Sequence, residues 1–304
     1  MIKTGFAEIN EERLLYQGVD PWFLEVAITG DCNFHCKYCN RFNADLDFDS
    51  FKAWIEKAGL LHRIQITGGE PTLSPRFAEI VNLCREHSIS LGISTNGSRP
   101  IDLYLNIPAD IYYISLDDYD NSILIERGYK NPEHVKNIIK YLSEYYYVSV
   151  GVVIDRYNID RIENILDYIL DLGAKDIRLS TSSHYLNLMP TFKKTYDNYP
   201  TLAYRVKNFN NKRPMRGFPT KRCEIMKKDL CIVGDKHYPC LVYFREHGQP
   251  IGNVGDNILT EREKWFAETD CTKDSICSKF CMDFRCDFNL EVETQANEKL
   301  QIKG

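Results

Sequence analysis

Three cysteines in one short run, Cys32, Cys36 and Cys39 of Thr29-Gly-Asp-Cys-Asn-Phe-His-Cys-Lys-Tyr-Cys-Asn40, are the residues whose spacing speaks most directly of chemistry. Thiolates at CX3CX2C spacing can hold three irons of a 4Fe–4S cube, since each iron takes one cysteine. No fourth cysteine lies near, which leaves one iron open, and an open position lets a metal centre do chemistry rather than only brace a fold. Zinc or unligated thiols are the alternatives. Zinc sites pair CX2–4C half-sites or add histidines, and neither His35 nor His62 stands at such a spacing.

The surrounding segments are those that would position such a loop. Residues 22–180 alternate strand-like and helix-like runs. Phe23–Ile28 reads as a first strand ending just before the cysteines, followed by a helix over Asp49–Ala58 and a strand over Arg63–Thr67. Ser74-Pro75 reads as a helix start, with Phe77, Ile80, Val81 and Cys84 on one apolar face. Strands follow at Ser90–Ser94, Ile111–Leu116, Val148–Ile154 and Asp176–Leu179. The helices between them carry Val135, Ile138, Ile139 and Leu142, then Ile162, Ile165, Leu166 and Ile169. Parallel strands need crossover helices, and this alternation supplies them. Six units are too few for a closed eight-stranded barrel, so an open, incomplete one is expected. Parallel α/β proteins place their sites at strand C-terminal ends.

Polar and glycine-rich motifs fall at those ends. Gly68-Gly69-Glu70-Pro71 follows the second strand, where two glycines admit a close backbone approach and Pro71 stiffens the exit. Thr95-Asn96-Gly97 ends the third strand, Ser115-Leu116-Asp117 the fourth, and Arg127-Gly128 comes soon after. Each alone is an ordinary turn or surface group. In this order, behind the cysteine loop, they resemble the radical S-adenosylmethionine (radical SAM) superfamily, with Tyr38 where that family carries an aromatic residue. The resemblance implies a partial (β/α)6 TIM-like barrel and an open iron chelated by the amino and carboxylate groups of the cofactor's methionine moiety. It implies reductive cleavage of the cofactor to a 5′-deoxyadenosyl radical. It also implies cofactor contacts at Tyr38, Gly68, Gly69, Glu70, Pro71, Thr95, Asn96, Ser115, Arg127 and Val153. Glu70 would engage the amino group and Arg127 the carboxylate, while Val152 and Val153 would pack on adenine or serve only the core.

Seven of the eleven cysteines lie beyond residue 222: Cys223, Cys231, Cys240, Cys271, Cys277, Cys281 and Cys286. With Gly234-Asp-Lys-His-Tyr-Pro-Cys240 and Gly252-Asn253, this region resembles the SPASM/twitch extension of radical SAM enzymes, a small β-hairpin and helix domain with one or two auxiliary 4Fe–4S clusters. Carried over, one cluster would take Cys223, Cys231, Cys240 and Cys281, and a second only Cys271, Cys277 and Cys286, one cysteine short of the full pattern. The single-cluster alternative uses Cys223, Cys240 and two of the last three, leaving Cys231 or Cys271 as a possible hydrogen-atom donor. A structural zinc site is the remaining alternative. Cys84 completes an apolar helix face and reads as a core thiol.

The expected organisation is an N-terminal extension (1–21), the barrel core (22–180), a basic linker (181–222) and the auxiliary-cluster domain (223–304). Arg205–Arg222 holds seven basic residues and no acid, either a solvated linker or a contact strip for an anionic substrate or peptide. Net charge is −5, without the global excess of basic residues that nucleic-acid binders show. No apolar run is long enough to span a membrane and no secretory signal is present, so a cytoplasmic protein is expected. Eleven cysteines in such a chain point to metal ligation rather than disulfides. The expected activity is that of a radical SAM oxidoreductase abstracting hydrogen from a substrate carbon, with a reductant such as flavodoxin or ferredoxin. Its leading substrate is a peptide under oxidative maturation. A dehydrogenase or epimerase of an aminosugar or nucleoside is the alternative, and a non-catalytic iron–sulfur protein is the alternative of another class.

Overall fold

The computed structural model describes residues 23–302 except 41, 183, 184 and 186, with side chains as far as residue 295, and a short N-terminal pairing of Lys3–Thr4 with Ala7–Glu8. The remainder of the expected N-terminal extension lies outside the described residues.

Strands β1 (Phe23–Ala27), β2 (Leu61–Thr67), β3 (Ser88–Thr95), β4 (Ile111–Ser115), β5 (Tyr147–Ile154) and β6 (Asp176–Thr181) pair in parallel, each with the next. Between them run α1 (Phe48–Ala58), α2 (Phe77–Glu86), α3 (Ile101–Leu105), α4 (Asn121–Glu126), α5 (Pro132–Tyr145) and α6 (Ile162–Asp171). This is the expected partial TIM-like barrel. Every residue of β1 is buried, because helices cover one face of the sheet and the barrel interior the other. The core is the contiguous apolar cluster between sheet and helices, with Leu24, Ile64, Leu91, Val150 and Ile177 facing Ile55, Ile80, Ile139 and Ile165. Helix ends follow local chemistry: Asp47 caps α1 through the Ser50 amide, and Asn131 caps α5 through that of His134.

Helix α2 begins at Phe77, not at Ser74-Pro75. Pro71–Leu73 instead forms a 3₁₀ turn capped by the Glu70 side chain, and Ser74 closes it with a bond to the Pro71 carbonyl. Ser74-Pro75 thus belongs to the exit of that turn, and α2 starts after Arg76 with no side-chain cap.

The sheet does not stop at the barrel. Strand β7 (Asp229–Val233) lies parallel to β1, register Glu25↔Cys231, and turns through Gly234 into β8 (Lys236–Tyr238), with β9 (Gly252–Asn253) outside. The C-terminal region therefore extends the same sheet.

The basic stretch is not a solvated linker throughout. Helix α7 (Pro200–Asn210) occupies its first part, and Arg205 is buried against Asp283 at 2.6 Å. Arg213 pairs with Asp287, Arg216 donates to the Ser278 carbonyl at 2.8 Å, and Arg222 to that of Thr269 at 2.6 Å. These arginines tie the stretch to the C-terminal segment holding α8 (Leu241–Arg245), α9 (Ile258–Glu268), α10 (Cys277–Phe280) and α11 (Asp283–Ile302). Two of the seven basic side chains are thus paired with carboxylates and two more held by carbonyls, while Lys207, Lys212 and Lys221 stay exposed.

Candidate functional site

The cysteine loop follows β1 and is fixed by the exit of β2. The Gly69 amide donates to the Thr29 carbonyl at 2.8 Å and the Glu70 amide to that of Asp31 at 2.7 Å. A β-carbon on Gly69 would lie 2.3 Å from the Asp31 carbonyl oxygen, so glycine is required by the approach itself. Gly128 presses on the other side. It has φ +108°, a β-carbon there would meet the His35 carbonyl at 2.5 Å, and its own carbonyl accepts from the His35 amide.

Cys32, Cys36 and Cys39 all line one cavity of about 400 Å³ inside the barrel mouth. Gly68, Gly69, Thr95, Asn96, Ser115, Val152 and Val153 line the same cavity, as does Tyr38. Motifs spread over some 120 positions thus meet at one cavity. Burial pushes the Cys36 thiol up to about 12, with the Asp117 charge adding to it, and burial likewise raises Cys32. Thiols so shifted stay protonated until a metal displaces the proton. The Asn96 amide points at the Cys32 sulfur, 3.8 Å away, while bonding the Asn33 side chain at 2.8 Å. Three thiols on one loop, facing the cavity past glycines that admit close contact, fit a cluster with one open iron.

Glu70 and Arg127 do not reach the cavity. The Glu70 carboxylate is fully buried and accepts from the Asn96 amide at 2.6 Å and from the Thr72 and Thr95 hydroxyls at 2.6 and 2.9 Å. It braces the β2 exit to the β3 exit, and burial holds its carboxyl above the usual range against those donors. Pro71, also buried, opens the 3₁₀ turn beside it. The Arg127 guanidinium lies between Asp117, Asp155 and the Val153 carbonyl, with Tyr38 over its face at 5.0 Å. Its donors are committed, so it orients Tyr38 and Val153 and does not offer a free fork to a carboxylate. Asp117 also takes the hydroxyl of Tyr38, and bonds to those of Tyr129 and the Val153 amide. This buried network had not been foreseen beyond Arg127; the acidic residue closing Ser115-Leu116-Asp117 was its only trace.

Six C-terminal thiols form one group. Cys223 lies within hydrogen-bonding reach of Cys271, and Cys271 of Cys277; Cys286 donates to Cys281 at 3.4 Å; and Cys240 lies near Cys223 and Cys281. The contact of Cys223 with Cys271 crosses the two-cluster division expected from sequence. Cys231 stands on β7, buried beside Val233 and Tyr238, with Glu25, Arg245 and Arg262 as its charged neighbours and Cys240 nearby. Neither Cys231 nor Cys271 lines the cavity, so neither expected hydrogen donor is placed to serve it. Among the described residues, no three His, Cys, Asp or Glu side chains are gathered as a single ion would need.

The sequence pattern of the radical SAM superfamily matches residues 26–169. That stretch, a little under half of the chain, is similar to the radical SAM domain. Two curated relatives align with this part of the chain. The "tungsten-containing aldehyde ferredoxin oxidoreductase cofactor-modifying protein" of Pyrococcus furiosus is 30% identical over 190 residues, 55% of this chain and 52% of the relative. The "S-adenosylmethionine-dependent nucleotide dehydratase" of Selenomonas ruminantium is 29% identical over 179 residues, 52% of this chain and 65% of the relative. The chain thus spans between half and two thirds of these relatives. Among solved structures, Streptococcus suis SuiB bound to its precursor peptide SuiA superposes with a TM-score of 0.58 at 15% identity, covering 82% of this chain and 65% of that one. That likeness shows the shared fold. A domain of that family would take a 4Fe–4S cluster and S-adenosylmethionine as its cofactors.

Proposed function

We propose that this protein binds S-adenosylmethionine over a cluster held by Cys32, Cys36 and Cys39 and uses it to oxidise a carbon of a peptide substrate. The observation that carries the reading is the convergence of the three thiols and of Gly69, Thr95, Asn96, Ser115 and Val153 on one cavity. When bound, the cluster and cofactor supply a carbon-centred radical able to remove hydrogen from an unactivated carbon. The protein's part is placement. Gly69 and Gly128 fix the thiol loop, Asn96 donates toward a thiol sulfur, and the Asp117–Arg127–Asp155 network holds Tyr38 and Val153 at the cavity wall. Apolar walls at Phe34, Val152 and Leu179 limit water beside a reactive intermediate.

The grouped C-terminal thiols support one auxiliary cluster taken from Cys223, Cys240, Cys271 and Cys277, an acceptor for the electron that a net oxidation must give up. Two clusters would need the six thiols divided, against the Cys223–Cys271 contact. Among the described residues, the cavity wall carries no cysteine besides Cys32, Cys36 and Cys39, which favours oxidation over epimerisation. A second reading, a small-molecule dehydrogenase or dehydratase, draws on the nucleotide-acting relative.

Anaerobic reconstitution with iron and sulfide, then dithionite and S-adenosylmethionine, tests the reading by chromatography of the nucleoside product. The proposal expects 5′-deoxyadenosine; its absence from protein of full cluster content would overturn it.

A further inference from the structure

The part of the cavity remote from the cysteine loop carries charges that the cofactor reading leaves unused. Glu25 of β1, Arg178 of β6, Arg245 at the end of α8 and Arg285 of α11 all line it. Arg285 is engaged with Asp229 at 2.9 Å, and Arg205, further along the wall, with Asp283. Arg178 and Arg245 have no such partner among the described residues, and the Arg178 Nε is buried without a hydrogen bond. Its guanidinium lies over the Tyr113 ring at 4.2 Å, deep in the barrel, and the exposure it keeps is to the cavity. A buried guanidinium without an acceptor is costly, and arginine inside proteins is nearly always paired. A second arginine, Arg245, lines the same cavity with its side chain exposed, so two like charges face one space. The charged and titratable neighbours that act on Arg178 are Tyr113, Glu25, Arg245 and Asp176, none of them from the cysteine loop.

Glu25 completes the pattern. It is buried on the first strand, has no hydrogen-bond partner among the described residues, and has Arg285, Asp229, Arg245 and Arg178 as its charged neighbours. A planar guanidinium with two parallel donors matches a carboxylate. A carboxylate side chain nearby disfavours a dianionic phosphate, and it accepts readily from an N–H or O–H next to the anion. We propose that this part of the cavity is a substrate subsite for a carboxylate flanked by an amide, amine or hydroxyl donor, with Arg178 and Arg245 gripping the carboxylate and Glu25 accepting from the donor. In a peptide, either the C-terminal residue or an acidic side chain offers that chemistry. The inference rests on the cavity's holding cofactor and substrate together, and it narrows the substrate class of that site.

Calorimetric titration of the reconstituted holoprotein, with S-adenosylmethionine present, tests it with four probes: N-acetylalanine, its methyl ester, N-acetylglutamate α-amide and inorganic phosphate. The acid should bind and the ester should not; the two carboxylate probes separate a chain terminus from a side chain. Arg178→Gln should weaken the preferred carboxylate by about tenfold or more, the effect of losing a charge-assisted pair, while S-adenosylmethionine affinity stays within about twofold. Should Arg178→Gln not fold, the acid–ester difference in the wild type and its response to Arg178→Lys carry the test. Equal binding of acid and ester, tighter binding of phosphate, or joint loss of S-adenosylmethionine from a folded variant would overturn the proposal. A wild type that forms 5′-deoxyadenosine yet binds neither carboxylate would sink this inference alone, whereas one that forms none would sink the reading beneath it.

Discussion

Replacing Gly69 by alanine is a small change with a large expected consequence. The new β-carbon would sit 2.3 Å from the Asp31 carbonyl oxygen and 2.6 Å from that of Gly30, both backbone atoms of the cysteine loop. Real β-carbons stay beyond 3.0 Å, so the loop must retreat by at least about 0.7 Å. Neither oxygen belongs to a flexible side chain that could swing aside. Overpacking of this kind costs roughly 1–3 kcal/mol, a fall in melting temperature of roughly 2–10 °C for a chain of this size. Function should suffer more than stability, because the displaced atoms lead directly to Cys32. A misplacement near 1 Å in a preorganised site can lower a rate by about a hundredfold. The assay is the initial rate of 5′-deoxyadenosine formation by reconstituted Gly69→Ala, beside its thermal melt by circular dichroism. Gly255→Ala is the control, since nothing lies within 4 Å of a β-carbon there. A Gly69→Ala protein that cleaves the cofactor within about twofold of the wild-type rate would refute the close approach on which the site is built.

Arg127→Met leaves Asp117 and Asp155 buried without their shared cation, so apoprotein stability should fall by about 3–5 kcal/mol, read from chemical denaturation; a loss below about 1 kcal/mol would mean the network contributes little. Glu25→Gln should change how stability depends on pH. Burial raises the Glu25 carboxyl above its unfolded value, against the pull of Arg285, so its contribution is fully present at low pH and is lost as pH rises through the folded value. The variant lacks this titration, so its melting temperature relative to wild type should climb with pH above the ordinary carboxylate range; a constant difference would contradict the burial argument. Iron analysis of reconstituted wild type should give about eight irons per chain, two cubes, with Cys271→Ala lowering it toward four; about twelve would restore the two-cluster division of the C-terminal cysteines.

The barrel was legible because each of its strands and helices announces itself locally. The apolar period switches between two and 3.6, and polar or glycine-bearing turns stand at strand ends. The site was legible for the same reason, since Cys32, Gly69, Asn96 and Ser115 each sit at such an end and need only the fold to meet. What sequence concealed is what depends on pairing across distance. Nothing in Asp229–Val233 says that it will lie beside β1, 200 residues earlier in the chain. The basic stretch looked solvated because its partners Asp283 and Asp287 lie some 75 positions downstream. Glu70 and Arg127 were assigned to a ligand when buried partners already satisfy them, a distinction that residue type alone does not carry. Glu25 had one visible trace, a charged residue inside an otherwise apolar strand.

The central claim is that Cys32, Cys36 and Cys39 form the centre that cleaves S-adenosylmethionine. Its most direct test sets the wild type against a Cys32→Ala, Cys36→Ala, Cys39→Ala triple variant, both reconstituted anaerobically, with 5′-deoxyadenosine and iron measured on the same samples. The account predicts nucleoside from the wild type and none from the variant, which keeps the iron of its C-terminal thiols. Nucleoside formed by the variant at the wild-type rate would contradict it.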